Sequence, residues 1–235
     1  MATYFFKRLI ILLFAIMGVS VFSLKAQTPV EFKAEPALSL SWKINDRWGL
    51  NGQVKMGQLL NGNTASGFEK SFTERFELQA FANYSLFGSR KISLGYVAGM
   101  DDPFLEEPGY EHRITEQFSF VSTAGQIRLA VRLRAEQRFR TSGFQQRYRA
   151  RISTDIPLRG ERLDETEPYL ILQNEILASP ADGEVPLDNR LDAGIGWLLP
   201  GKQKFQVQLQ HRFEKMNLPH RGHVIQIVTA YFFNF

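Results

Sequence analysis

Gln126-Ile127-Arg128-Leu129-Ala130-Val131-Arg132-Leu133-Arg134-Ala135-Glu136-Gln137-Arg138-Phe139-Arg140 divides cleanly by residue parity. Ile127, Leu129, Val131, Leu133, Ala135 and Phe139 fall on one face, and Arg128, Arg132, Arg134, Glu136, Arg138 and Arg140 on the other. Side chains on a strand alternate between faces, so a period of two sustained over this length is a strand with one greasy side and one charged side. The next segment repeats the pattern: Tyr148, Ala150, Ile152 and Ile156 oppose Arg147, Arg149, Arg151, Ser153 and Asp155. Phe205 to Glu214 is equally regular.

Working outward, alternation predicts further strands at Leu38–Ile44, Arg47–Met56, Glu69–Leu86, Lys91–Val97, Tyr110–Thr123, Pro168–Ala178, Arg190–Leu199 and His223–Phe235. The links read as tight turns at Asn45-Asp46, Gly88-Ser89, Gly125-Gln126 and Pro200-Gly201-Lys202. Longer loops are expected at Asn61–Gly67, Asp101–Gly109 and Ser179–Leu187. A long turn at Arg159–Glu165 and a short link at Thr141–Gly143 depart from that alternation. Short turns at one end and longer loops at the other suit an outer-membrane β-barrel, with the turns periplasmic. The raw count is eleven strands. A barrel whose neighbours are all antiparallel closes only with an even number, so ten or twelve is expected: either the stretch before Asn45, broken by Pro36, is partly a plug or periplasmic lead, or one more strand is present.

Three features favour a membrane barrel over a soluble sandwich. The strands are long against a soluble mode of about 5–6 residues. Their polar faces mix arginines with acids, as a shared wet interior would. Last, the chain ends Tyr231-Phe232-Phe233-Asn234-Phe235, which puts Tyr231, Phe233 and Phe235 on one face. That row fits an aromatic girdle and resembles the terminal signal read by outer-membrane barrel-assembly machinery.

The N-terminus points to export. Lys7 and Arg8 precede an apolar run from Leu9 to Phe22 and a small-residue exit, Ser23 to Gln27. This is the order of a cleaved signal peptide, with a core shorter than the ~20 residues of a spanning helix. The expected organisation is a signal at 1–27 and one outer-membrane barrel at 28–235. Residues 1–27 hold three of the 28 Lys and Arg and no acid, which leaves 25 cations against 24 acids. No nucleic-acid footprint follows. Without cysteine there is no disulfide framework and no lipoprotein anchor.

From Glu111 onward the chain also resembles a family of exported β-barrels known only as a domain of unknown function and common in Bacteroidetes-type outer membranes. The resemblance is carried by Glu111-His112-Arg113 with Gln117, the run Arg132 to Arg138, Arg147-Tyr148-Arg149 leading to Ile156-Pro157-Leu158, Asn174-Glu175, Asn189-Arg190 and the aromatic end. It implies an outer-membrane location and brings no catalytic residues.

The candidate site is therefore a lumen charge network: Arg113, Arg132, Arg134, Glu136, Arg138, Arg147, Arg149, Arg151, Asp155, Glu175, Arg190, Arg212 and Glu214, with Glu111 and Asp192 as further carboxylates. Such a network either fixes register as interior ion pairs or lines a pore for small anionic solutes. Lipids and the assembly machinery are the other expected partners; no cofactor or metal is expected. An outer-membrane lipid hydrolase would need a Ser-His pair. His112 and His211 lie on apolar faces, but no His-x-Ser motif accompanies them, so a non-enzymatic barrel is expected. Adhesion through the outer loops is a third option. Glu74 and Glu116 interrupt greasy faces, which places them either at the headgroup level or at a register shift or lateral opening.

Overall fold

A sheet with open edges presents rows of unpaired backbone groups, and closure of the sheet on itself removes them. In the computed structural model, which describes residues 30–61, 72–124, 127–160, 163–181 and 183–235, the sheet closes. The strands are β1 Val30–Lys43, β2 Trp48–Asn61, β3 Thr73–Ser85, β4 Arg90–Asp101, β5 Gly109–Ala124 and β6 Ile127–Arg140. They continue with β7 Gly143–Pro157, β8 Pro168–Ala178, β9 Leu187–Leu198, β10 Lys204–Glu214 and β11 Gly222–Asn234. Each pairs with its chain neighbour, and β1 pairs with β11 to close the barrel. The signal segment, the Gly125-Gln126 turn and most of the Asn61–Gly67 loop lie outside the described residues.

The strand number falls within the expected range of about ten to twelve, but it overturns the argument for an even count. Eleven strands close because β1 and β11 run parallel, Val30 opposite His223 through Ser41 opposite Asn234, while the other neighbours are antiparallel. The barrel is thus mixed rather than wholly antiparallel. Pro36 does not break β1. It lies opposite Thr229, and the β1–β2 ladder passes from Ala34↔Gln58 to Ala37↔Lys55 around the residue that has no N–H.

Register fixes the shape. A walk across the strands from Trp48 passes Tyr84, Ile92, Phe118, Leu133, Ala150, Ile176, Asn189, Phe213 and His223 to reach Val30. Trp48 itself faces Ile44 across the β1–β2 turn, so the circuit returns to β1 fourteen residues away, at 30 instead of 44. Eleven strands with that stagger tilt by roughly 45° and give a circumference of ~70 Å and a backbone diameter of ~22 Å. The walk climbs from the turn end to the loop end, so level depends on strand as well as position.

Two sites show why the sequence accepts this geometry. Asn45 Oδ1 accepts the N–H of Arg47 (2.9 Å) and of Trp48 (2.8 Å), which closes the β1–β2 turn. Inward glycines open room for neighbours: a Cβ at Gly95 would strike the Phe81 ring, and one at Gly196 the Tyr169 ring.

The outer wall carries the greasy faces, with Leu38, Leu50, Val54, Leu78, Ile92, Leu94, Ile114, Leu133, Leu209 and Ile227 all exposed. Aromatics gather at its rims. Trp42, Trp48 and Trp197 come level near the turn end, stacked on or edge-to-face with Phe235, Tyr84 and Phe205 respectively. Phe139 and Phe144 pack together near the loop end. Glu74 sits at a β-bulge, since Gly57 pairs with Arg75 and Gln58 with Thr73. Its carboxylate meets Lys33 at 2.8 Å, so the register-shift reading is the correct one there. Glu116 shows no register shift and does not lie near a rim. It is exposed between Leu94 and Ala135, and the tilt raises it to about mid-height of the wall instead of a headgroup level.

Candidate functional site

The inward face holds the charges, and tilt decides which of them meet. About two-thirds of the way from turn end to loop end, successive strands bring Glu35, Lys55, Glu77, Val97, Arg113, Glu136, Arg149, Glu175 and Arg190 to one level. Arg212 lies just above and leads back to Glu35. The result is a belt of nearly alternating sign. Lys55 Nζ is 3.1 Å from Glu35, Arg212 Nη2 3.5 Å from Glu35, and Arg113 Nη2 3.0 Å from Glu77.

Three carboxylates with essentially no exposure anchor it. Glu111, above the belt on β5, accepts from Arg75, Arg113, Arg138 and Arg140 at 2.7–2.9 Å, Arg138 in a two-pronged arrangement. Glu136 meets Arg147 (2.6 Å) and Arg149 (3.0 Å). Glu175 meets Arg132 and Arg151, each at 3.0 Å, and Arg149. Charges out of bulk water persist only when paired and hydrogen-bonded, and these are. Packing here is tight: a Cβ at Gly99 would come within 2.8 Å of the Arg75 guanidinium.

Of the residues expected in the lumen, Arg113, Arg132, Arg134, Glu136, Arg138, Arg147, Arg149, Arg151 and Glu175 come together in this network. Arg134 donates to Gln117 (2.7 Å) and lies over the Phe81 ring. Asp155 stands apart toward the turn end, 3.7 Å from Lys204. Asp192 accepts from Gln173 (2.8 Å) and Gln210 (2.5 Å). Arg190 stands beside Glu175 and Arg212 in register, with its Nε buried and unpaired. Glu214 pairs in register with Gly222 near the loop end, away from the anchors. Sequence reading missed Glu35, Lys55, Arg75, Glu77 and Asp101. Arg75-Phe76-Glu77-Leu78-Gln79 does alternate, and a stricter parity count of β3 would have found the first acid and arginine.

A cavity of about 980 Å³ runs along the lumen, with lining that extends from Asn45 and Asp46 at the turn end to Arg140 near the other rim. Its lower half is lined by Gln, Asn and Ser with Arg132, Arg134 and Arg151. Barrels of about eight strands are filled by side chains and those of about sixteen hold open water; eleven falls between, with the ion-pair belt above mid-height and the cavity extending below it.

On the outer wall, His112 Nδ1 is 2.5 Å from the Tyr96 hydroxyl. His211 and His223 meet at 3.1 Å with their rings stacked, and His223 also stacks on Phe213.

A family model described as "Protein of unknown function (DUF2490)" matches residues 36–222. No curated protein and no solved structure matches the chain.

Proposed function

The chain belongs to the DUF2490 family of proteins of unknown function, and from that premise we propose that it is an integral outer-membrane β-barrel, exported through a cleaved N-terminal signal, whose basic lumen admits small anionic solutes. The observation that carries this reading is the pairing of a greasy outer wall with a charged, cavity-bearing interior. A wall ~25 Å tall around a circumference of ~70 Å offers on the order of 1,700 Å² of apolar surface, against roughly 300–600 Å² for the largest patch on a soluble monomer. Acyl chains cover such a surface without a second protein layer.

The tryptophan row at the turn end and the phenylalanines at the loop end fit the two girdles of a membrane barrel. The aromatic end serves assembly twice over. Tyr231, Phe233 and Phe235 form the outward terminal row, and Phe235 also stitches the seam, its N–H donating to Ser41 (2.9 Å) and its carbonyl accepting from Lys43 (3.2 Å).

Planar-bilayer recording of the purified barrel tests the solute reading. Anion-selective openings whose selectivity falls or reverses in Arg134→Glu are expected. Silence over prolonged recording of correctly folded protein would remove transport and leave a structural barrel. That second reading draws on the full burial of Glu111, Glu136 and Glu175, which suits a network built to hold register.

A further inference from the structure

We propose that Arg132, Arg134 and Arg151 form a binding site for a small polyanion carrying two or more adjacent phosphate or carboxylate groups, entered from the turn end. The proposal deepens the reading of the lumen as a path for anions and rests on it. Its first support is an arrangement that pure structure would avoid. Arg132 faces Arg151 directly across β6 and β7, and Arg134 faces Arg149. Like charges in direct cross-strand register are destabilising. Two such pairs in succession share the two carboxylates Glu136 and Glu175, and Arg147 also draws on Glu136.

Unspent donors are the second support. An arginine carries five N–H groups. Arg151 places its Nε on Glu175, while Arg132 uses Nη2. Arg134 is steadied by Gln117, which accepts from Nε at 3.2 Å and Nη2 at 2.7 Å, and by the Phe81 ring beneath it. Its Nη1 is left 3.6 Å from Glu136, beyond a good hydrogen bond. Arg132 Nε is buried without a partner. All three side chains line the cavity, and Arg132 and Arg151 keep 23% and 25% of their side-chain surface open while Arg149 beside them keeps 9%.

The third is position. These three arginines line the lower cavity among Gln117, Gln173, Gln206 and Gln208, whose amides suit hydroxyl and anionic oxygens. Cross-strand neighbours lie about 5 Å apart, a spacing that adjacent anionic groups of one molecule can bridge. Planar guanidinium forks bind phosphate and carboxylate with two parallel bonds, which a scattered positive potential does not do.

Isothermal titration of the full detergent-refolded barrel with inorganic pyrophosphate, and separately with citrate, tests this. Saturable one-to-one binding of either probe is expected; the tighter one identifies phosphate or carboxylate as the natural group. Arg132→Gln combined with Arg151→Gln should weaken binding about tenfold or more, and the paired Lys variants, which keep the charge but lose the fork, by an intermediate amount. Arg140→Gln, near the opposite rim, should leave affinity within about twofold. Heat-modifiable gel migration verifies that each variant is folded. No saturable binding at low salt, or equal loss in Arg140→Gln, overturns the site. Binding without conductance supports the site and removes transport; conductance without binding supports transport and overturns the site.

Discussion

Glu111→Gln removes one charge from the most heavily bonded carboxylate in the lumen while keeping its volume. Glu111 Oε1 accepts from Arg113 and Arg138, and Oε2 from Arg75, Arg138 and Arg140. Five charge-assisted bonds at ~2 kcal/mol each would sum to about 10 kcal/mol, comparable with the whole stability of a domain, so simple addition overstates the loss. Arg75 and Arg140 are 22% and 32% open and recover water, and Arg75 retains Glu77 and Asp101. Arg113 and Arg138, at 5% and 6%, cannot rehydrate so easily. The amide also turns one acceptor into a donor facing donors. The expected cost is that of breaking a buried pair, about 3–5 kcal/mol. Urea unfolding of the refolded barrel in lipid vesicles, followed by tryptophan emission, measures it. Glu214→Gln is the internal control: this carboxylate makes no ion pair among the described residues and should cost under about 1 kcal/mol. If Glu111→Gln cost no more than Glu214→Gln, the network would not be stabilising and the reasoning would fail.

Three further outcomes are expected. A Cβ at Gly194 would press on the Val207 carbonyl and the Gln208 backbone, whereas one at Gly52 would make ordinary contact with Trp42; Gly194→Ala should therefore cost about 1–3 kcal/mol in the same unfolding assay and Gly52→Ala far less. Because the chain has no cysteine, Ala37→Cys with Ala230→Cys reports on the parallel seam alone: these partners should cross-link readily on oxidation, and failure to do so in folded protein would contradict eleven-strand closure. Glu116→Leu should raise stability in vesicles by about 1–2 kcal/mol, since the carboxylate stands at mid-height of the greasy wall; a loss would mean that a polar partner covers it.

Strand identity was legible because a period of two is local. β6, β8 and β10 lie within a residue of where alternation placed them, β7 starts four residues earlier, and the Arg-rich faces do point inward. Closure was not legible. Parity argued for an even count, and no local pattern says that the first and last strands run the same way. Pro36 made β1 look interrupted, although a proline costs little where its missing N–H is passed over by the ladder. The partners of Glu136 and Glu175 were half readable: direct register gives Arg147 and Arg151, but the diagonal reach of Arg149 to both needs the tilt. The same tilt lifts Glu116 to mid-wall and levels Lys55 with Glu77 and Glu35, residues that lie on three different strands. It is a property of the whole circuit, visible only once fourteen residues of stagger have accumulated.

The most direct test of the outer wall is depth-dependent quenching of Trp42, Trp48 and Trp197 by lipids brominated at defined positions along their acyl chains. All three lie on the outer wall near the turn end, within about one residue's rise of each other along the barrel axis. If acyl chains cover the wall, all three should be quenched, most strongly by bromines close to the headgroup and at a common depth. Emission indifferent to bromine at every depth, from a chain that stays monomeric without detergent, would contradict it.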